Sequence, residues 1–179
     1  MAGIIKVNQY QDFNGNTLFT SDGNGNLTTQ KIMYPAFEAY ISGSDQAITD
    51  ATTTKVEFNT EILDTDNCYD NSTNYRFTPT VAGKYYVYTS VNSEANGSSD
   101  LRRTRISIYK NGSSFRQNQF LQETYRARQQ NPYVAAIMDM NGTTDYLEIF
   151  VYVDDNSGNP ELKGGSAKQS YFGAYRIGS

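Results

Sequence analysis

Residues 69–86 read Tyr69-Asp70-Asn71-Ser72-Thr73-Asn74-Tyr75-Arg76-Phe77-Thr78-Pro79-Thr80-Val81-Ala82-Gly83-Lys84-Tyr85-Tyr86. The polar run 70–74 is turn chemistry, rich in side chains that hydrogen-bond their own backbone. Arg76-Phe77-Thr78 is a short strand, and Pro79 ends it because proline has no N–H to give a ladder. Gly83 follows at a position that calls for positive φ. From there the chain alternates with a period of two. Tyr85, Val87, Thr89 and Val91 share one face, and Tyr86 and Tyr88 lie on the other.

The same alternation continues outward in both directions. Residues 34–41 place Phe37, Ala39 and Ile41 together. Over 54–59, Val56 and Phe58 alternate with Lys55 and Glu57. Over 103–110, Ile106 and Ile108 alternate with Arg103, Arg105 and Tyr109, and Asn111-Gly112 then gives a hairpin signal. Residues 133–140 run into a second such signal, Asn141-Gly142, and the last strand spans 171–177. Residues 117–130 hold helix formers but no apolar stripe. Repeated short alternating segments of this kind predict an all-β sandwich or barrel.

The segment 145–153 is apolar on both faces: Leu147, Ile149, Val151 and Val153 on one, Tyr146, Phe150 and Tyr152 on the other. A sandwich strand ordinarily wets its outer face. A loop of the same chain or a neighbouring subunit must therefore cover this one. Tyr86 and Tyr88 pose the same question, and large aromatics with a polar tip suit a protein interface.

Bulk properties narrow the function. The chain has 179 residues, 15 of them Tyr and 9 Phe, with no Trp. That length fits one domain with a small appendage. The formal charge is −4 and the isoelectric point about 4.8, which argues against nucleic acid as a partner. No apolar run nears the roughly 20 residues that span a bilayer, so no membrane insertion is expected. The N-terminus lacks the basic and apolar regions of a signal peptide.

Chemistry is sparse. There is no histidine, which removes the commonest general base and zinc ligand. The single cysteine, Cys68, has acidic neighbours that disfavour the thiolate, and it reads as an inert strand-end residue. The carboxylates Asp64, Asp66 and Asp70 decorate loops without the cleft of a glycosidase pair. No enzyme is expected and no cofactor is required. Calcium is the one cation the oxygen-rich loops suggest, with Asp154 and Asp155 as its ligands. Arg103 and Arg105 share a strand face and are the candidates for gripping an acidic partner or glycan, since guanidinium groups pair bidentately with carboxylates.

Residues 1–33 stand apart as an anchoring segment. Ile4, Ile5, Val7, Leu18 and Phe19 are its main apolar side chains, interrupted by Asn14-Gly15-Asn16 and Asp22-Gly23-Asn24-Gly25-Asn26. Too few apolar groups are present for a core. Either the segment orders against another chain or another copy of itself, or it is a tail.

Three blocks, in order, resemble the C1q globular head. They are Pro35-Ala36-Phe37-Glu38-Ala39-Tyr40, then the stretch from Tyr69-Asp70-Asn71 through Phe77 to Val81-Ala82-Gly83-Lys84-Tyr85-Tyr86, then Tyr171-Phe172-Gly173 near the end. The resemblance covers 34–179. It implies a ten-stranded C1q/TNF-like jelly roll, with Phe37, Phe58, Phe77, Gly83, Tyr85 and Gly173 defining the fold. It also implies a compact homotrimer. Tyr40, Tyr86, Tyr88, Phe150, Tyr152 and Tyr171 then become candidates for the surface between subunits. No collagen-like repeat or cysteine pair accompanies the domain, which sets aside an animal defence role. The Ile-Ile-Lys-Val opening with Asn-Gly turns resembles the leaders of structural proteins in tailed phages, cyanophages among them. That likeness implies a virion surface protein, made in the host cytoplasm. It would be a capsid decoration or a head or tail fibre subunit docked to other virion proteins through residues 1–33, or an adsorption module for a host glycan or receptor.

Overall fold

Every regular element among the described residues is a β-strand, as period-two alternation requires. The computed structural model describes residues 7–29, 34–96, 100–124, 127–156 and 158–178. It divides into two units, Met1–Met33 and Tyr34–Ser179.

In the first unit, β1 (Gln9–Gln11), β2 (Thr17–Ser21) and β3 (Leu27–Thr29) form an antiparallel meander in that order. Its two turns are built alike. The Asp12 carboxylate accepts the Asn14 and Asn16 amides, both at 2.9 Å. Ten residues on, the Asp22 carboxylate accepts those of Asn24 and Asn26 at 2.7 and 3.1 Å. Gly15 and Gly25 take φ of 81° and 91° in the matching positions. Tyr10 stacks on Phe19 with ring centroids 4.8 Å apart, but Val7, Phe13 and Leu18 are exposed. Ile4 and Ile5 lie outside the described residues.

The second unit runs β4 (Ala36–Tyr40), β5 (Gln46–Ala47), β6 (Thr53–Lys55), β7 (Thr60–Asp64), β8 (Tyr69–Asp70), β9 (Arg76–Phe77), β10 (Gly83–Ser90), β11 (Ser93–Ala95), β12 (Leu101–Lys110), β13 (Ser113–Leu121), β14 (Gln129–Gln130), β15 (Tyr133–Met140), β16 (Leu147–Asp155), β17 (Pro160–Leu162) and β18 (Tyr171–Gly178). One large sheet has the order β15-β10-β18-β4-β7. The other has β13-β12-β16-β9-β8, with β6 also paired to β16. A small sheet, β14-β11-β17-β5, carries strands that follow β10 and β4 in the chain. This is an all-β jelly-roll sandwich.

The faces assigned to the interior are inside. Phe37, Phe58, Phe77, Tyr85, Phe172 and the β16 row Leu147, Ile149, Val151 and Val153 are all buried. Phe37 is the hub, stacked on Tyr69 and Phe77 at 4.7 and 4.5 Å and edge-on to Phe172 at 4.8 Å. Gly83 takes φ of 147°, and a Cβ there would stand 2.3 Å from the Gly178 carbonyl oxygen.

Three local expectations give way. Asn111-Gly112, with φ of 51° and 77°, does close the β12–β13 hairpin. Asn141-Gly142 does not close a hairpin. There Asn141 Oδ1 accepts the amides of Thr143, Thr144 and Asp145, and the chain leaves one sheet at β15 to enter the other at β16. The 54–59 strand ends at Lys55, so Val56 and Phe58 are buried beyond the end of β6. Finally, residues 117–121 belong to β13, whose nine residues are all exposed and therefore show no stripe.

Candidate functional site: a tyrosine face

The outward face of the β15-β10-β18-β4-β7 sheet is built from alternate residues of its strands. Register places Tyr86 between Ile137 on β15 and Tyr175 on β18, and Tyr88 between Ala135 and Gly173. Tyr171 pairs with Tyr40, and Gly173 with Glu38. The rings form a connected layer. Tyr86 lies 5.5 Å from Tyr175 and 5.9 Å from Tyr88, and Tyr88 lies 6.3 Å from Tyr171. Leu63, Ile137 and Tyr175 extend the layer with 48%, 59% and 45% of their surface in water.

The polar tips of this layer are tied together. The Tyr88 hydroxyl donates to Glu38 at 2.6 Å. The Tyr86 and Tyr133 hydroxyls share a hydrogen bond of 2.9 Å. The Lys168 ammonium sits 5.2 Å from the Tyr40 ring centroid. Burial, with the Glu38 hydrogen bond next, pushes the Tyr88 phenol well above its ordinary range. Burial and the Tyr86 hydroxyl push Tyr133 up to about 12. A shallow cavity of about 580 Å³ opens over Glu38, Tyr86, Tyr88, Tyr133, Lys168, Tyr171 and Tyr175. The face is broad, aromatic and hydrogen-bonded.

Four of the six surface aromatics read from the sequence gather here: Tyr40, Tyr86, Tyr88 and Tyr171. Phe150 and Tyr152 do not. They point outward from β16, on the opposite sheet, where neighbouring side chains leave them half-buried. The Tyr109 ring lies 4.3 Å from Phe150, Lys55 reaches within 5.8 Å of that ring, and the Arg105 guanidinium stacks on Tyr152 at 4.9 Å. Part of the cover of the doubly apolar strand thus comes from its own chain. Sequence reasoning missed Tyr133, Ile137 and Tyr175. Their signal was the same outward position of the alternation, on strands to which the sequence reading assigned no faces.

Arg103 and Arg105 share the outer face of β12. Arg103 is opposite Asp154 in the ladder, and its Nε is shielded from water with no hydrogen-bond partner. Asp154 is held by Arg102, whose Nε donates to it at 2.9 Å. Asp155 is buried on the other side of β16, and its amide donates to Asp50 at 2.7 Å. Alternation therefore turns the two calcium candidates to opposite faces, and they do not converge on one ion. Among the described residues, no three His, Cys, Asp or Glu side chains gather as metal ligands. Cys68 is buried and donates to Asp64 Oδ1 at 3.2 Å; burial, then the Asp64 charge, raises its thiol far beyond the range of a usable thiolate.

No family model matches the chain, and no curated protein matches it. Solved structures do. The globular domain of zebrafish complement 1qA protein superposes with a TM-score of 0.57 at 18% identity, over 80% of this chain and 97% of that one. Murine APRIL gives 0.59 at 10% identity, over 80% and 99%. Eiger TNF from S. frugiperda gives 0.55 at 10% identity, over 82% and 94%. The second unit therefore has the C1q/TNF-like jelly-roll fold.

Proposed function

We propose that this chain is a non-enzymatic structural protein that assembles as a homotrimer, with the tyrosine face buried between subunits. The observation that carries this reading is the continuous outward layer of Tyr86, Tyr88, Tyr133, Ile137, Tyr171 and Tyr175. A monomer seldom exposes a contiguous apolar patch larger than a few hundred Å², and larger ones mark interaction sites. Tyrosine is among the residues enriched at such sites. The C1q resemblance of residues 34–179 favours three copies over two.

The virion role extends this reading. Residues 1–33 dock the protein to other virion proteins, and the jelly roll projects from the surface as a capsid decoration or as a head or tail fibre subunit. The exposed Val7, Phe13 and Leu18 of a meander with no core of its own support docking. Sedimentation at micromolar concentration tests the trimer: a well-folded monomer overturns it. Electron microscopy of the parent particle tests the location: density on capsid faces supports decoration, and density at the tail supports a fibre.

A second reading, adsorption to a host glycan or receptor, is favoured by one observation. The Arg105 guanidinium lies over the Tyr152 ring on the sheet opposite the tyrosine face, a half-buried Arg-aromatic pair that the proposed trimer would leave outside its interface.

A further inference from the structure

Where β7, β8 and β9 meet, the surface holds an open cleft of about 410 Å³. That volume falls within the roughly 300–1,000 Å³ typical of small-molecule sites. Such sites are usually apolar, and this one is walled by polar groups: Glu61, Asn67, Asn71, Ser72, Arg76 and Thr78. Its floor is Cys68, Tyr69 and Asp70.

The wall and the floor differ in how they are engaged. Floor groups are already paired. The Tyr69 hydroxyl donates to the Phe58 carbonyl at 3.1 Å. The Asp70 carboxylate accepts the amides of Ser72, Thr73 and Asn74 at 3.1, 2.9 and 3.0 Å, which pins the loop above the cavity. Asn67 and Tyr75 brace that loop with φ of 52° and 50°, a conformation uncommon for residues other than glycine. On the wall, the side chains of Glu61, Asn67, Asn71, Arg76 and Thr78 have no hydrogen-bond or ion-pair partner among the described residues. The Arg76 guanidinium is nonetheless held, because it lies on the Tyr146 ring at 4.7 Å, which fixes its plane while leaving its N–H groups free.

We propose that this cavity binds a neutral saccharide unit through hydrogen bonds alone. Glu61 accepts a pair of ring hydroxyls, Arg76 donates to others, and the amides of Asn67 and Asn71 do both. Neutrality follows from the wall and floor: two carboxylates, Glu61 and Asp70, face one cation, so an acidic sugar is repelled. Burial, with Asp64 next, already raises the Glu61 carboxyl. The aromatic ring among the lining residues, Tyr69, is buried and stacked on Phe37, so no ring is free to stack on a sugar and a single site is weak. Useful affinity then comes from several sites acting together, and this last step alone rests on the trimer proposed above.

A glycan array of neutral and acidic saccharides, probed with the full chain, identifies a binder, and titration followed by NMR measures it at one site. The expected result is saturable binding of a neutral saccharide. Arg76→Gln and the isosteric Glu61→Gln each weaken it by roughly tenfold to a hundredfold, as loss of a hydrogen bond to a charged group does. Gln119→Ala, on the exposed strand β13, leaves it unchanged. No bound saccharide, binding confined to acidic ones, or loss with Arg105→Gln but not with Glu61→Gln overturns the assignment. Sedimentation without sugar reports the trimer separately, so failure of one reading is not mistaken for failure of the other.

Discussion

Tyr88 and Gly173 face each other across the β10–β18 ladder, and the phenol ring lies over the glycine: a Cβ on Gly173 would stand 2.5 Å from both Tyr88 Cζ and Oη. The missing side chain is what lets the Tyr88 hydroxyl cross β18 to reach Glu38 on β4. Gly173→Ala forces the ring aside and separates that pair. Loss of stability of roughly 1–3 kcal/mol is expected, the range for overpacking, measured by urea denaturation. A double variant with Tyr88→Ala should lose less than the sum of the two single changes, because it removes the ring that clashes. Additive losses would show that the contact is not the reason for glycine.

Gly83 is a second position where glycine is required. Its φ of 147° lies in a region other residues avoid, and a Cβ would meet the Gly178 carbonyl at 2.3 Å and Arg176 Nε at 2.6 Å. Gly83→Val should cost more than the roughly 1 kcal/mol of an average substitution. Arg176, which donates to the Ala82 carbonyl at 3.0 Å, would also have to move. A midpoint of denaturation within error of the wild type would count against this account.

Association is separable from folding at Ile137. Its side chain is 59% exposed in the single chain, so Ile137→Asp should leave the monomer folded by circular dichroism yet reduce the sedimenting mass to that of one chain. Tyr152→Asp, on the opposite sheet, should leave the mass unchanged while disturbing the Arg105 stack. The reverse pattern would move the interface to the β12–β16 face.

The Lys163 cluster should govern acid stability. Lys163, just past the end of β17, lies 2.8 Å from Glu94 Oε2 on β11 and is also paired with Asp45. Burial alone would raise the Asp45 carboxyl, but the Lys163 and Gly164 hydrogen bonds outweigh it and lower it below 3.8. The Lys163 hydrogen bond lowers Glu94 below 4.5. Both carboxyls are thus depressed in the folded chain. Their stabilisation is complete above those ordinary values and is lost as pH falls through the folded ones. Lys163→Met should shift the acid-unfolding midpoint to higher pH. An unmoved midpoint would show that the cluster does not control acid unfolding.

A chain beginning at Gln30 should remain folded, because among the described residues the sandwich core draws its side chains from residues 37–174. Its thermal transition should match that of the full chain. Under the docking proposal it should fail to join particles. Wild-type occupancy would place the anchor in the jelly roll.

What the sequence alone determined was which side of the clearly alternating strands faces inward. Alternation is a local property, so Phe37, Phe77, Tyr85 and the β16 row could be assigned to the core from their neighbours in the chain. Asn111-Gly112 was legible for the same reason, since a two-residue turn carries its own geometry. Pairing between distant strands is not local. Nothing near Asn141-Gly142 records that β15 pairs with β10 while β16 pairs with β12, and only the assembled sheets decide that the turn is a crossover. Both sites depend on the same decision. Tyr88, Gly173 and Glu38 meet because β10, β18 and β4 are adjacent, and Phe150 is separated from them because β16 lies in the other sheet. Glu61 and Arg76 share a cavity although β7 and β9 belong to different sheets. The composition of each strand is written in the chain, but which strands become neighbours is settled by the packing of the whole core.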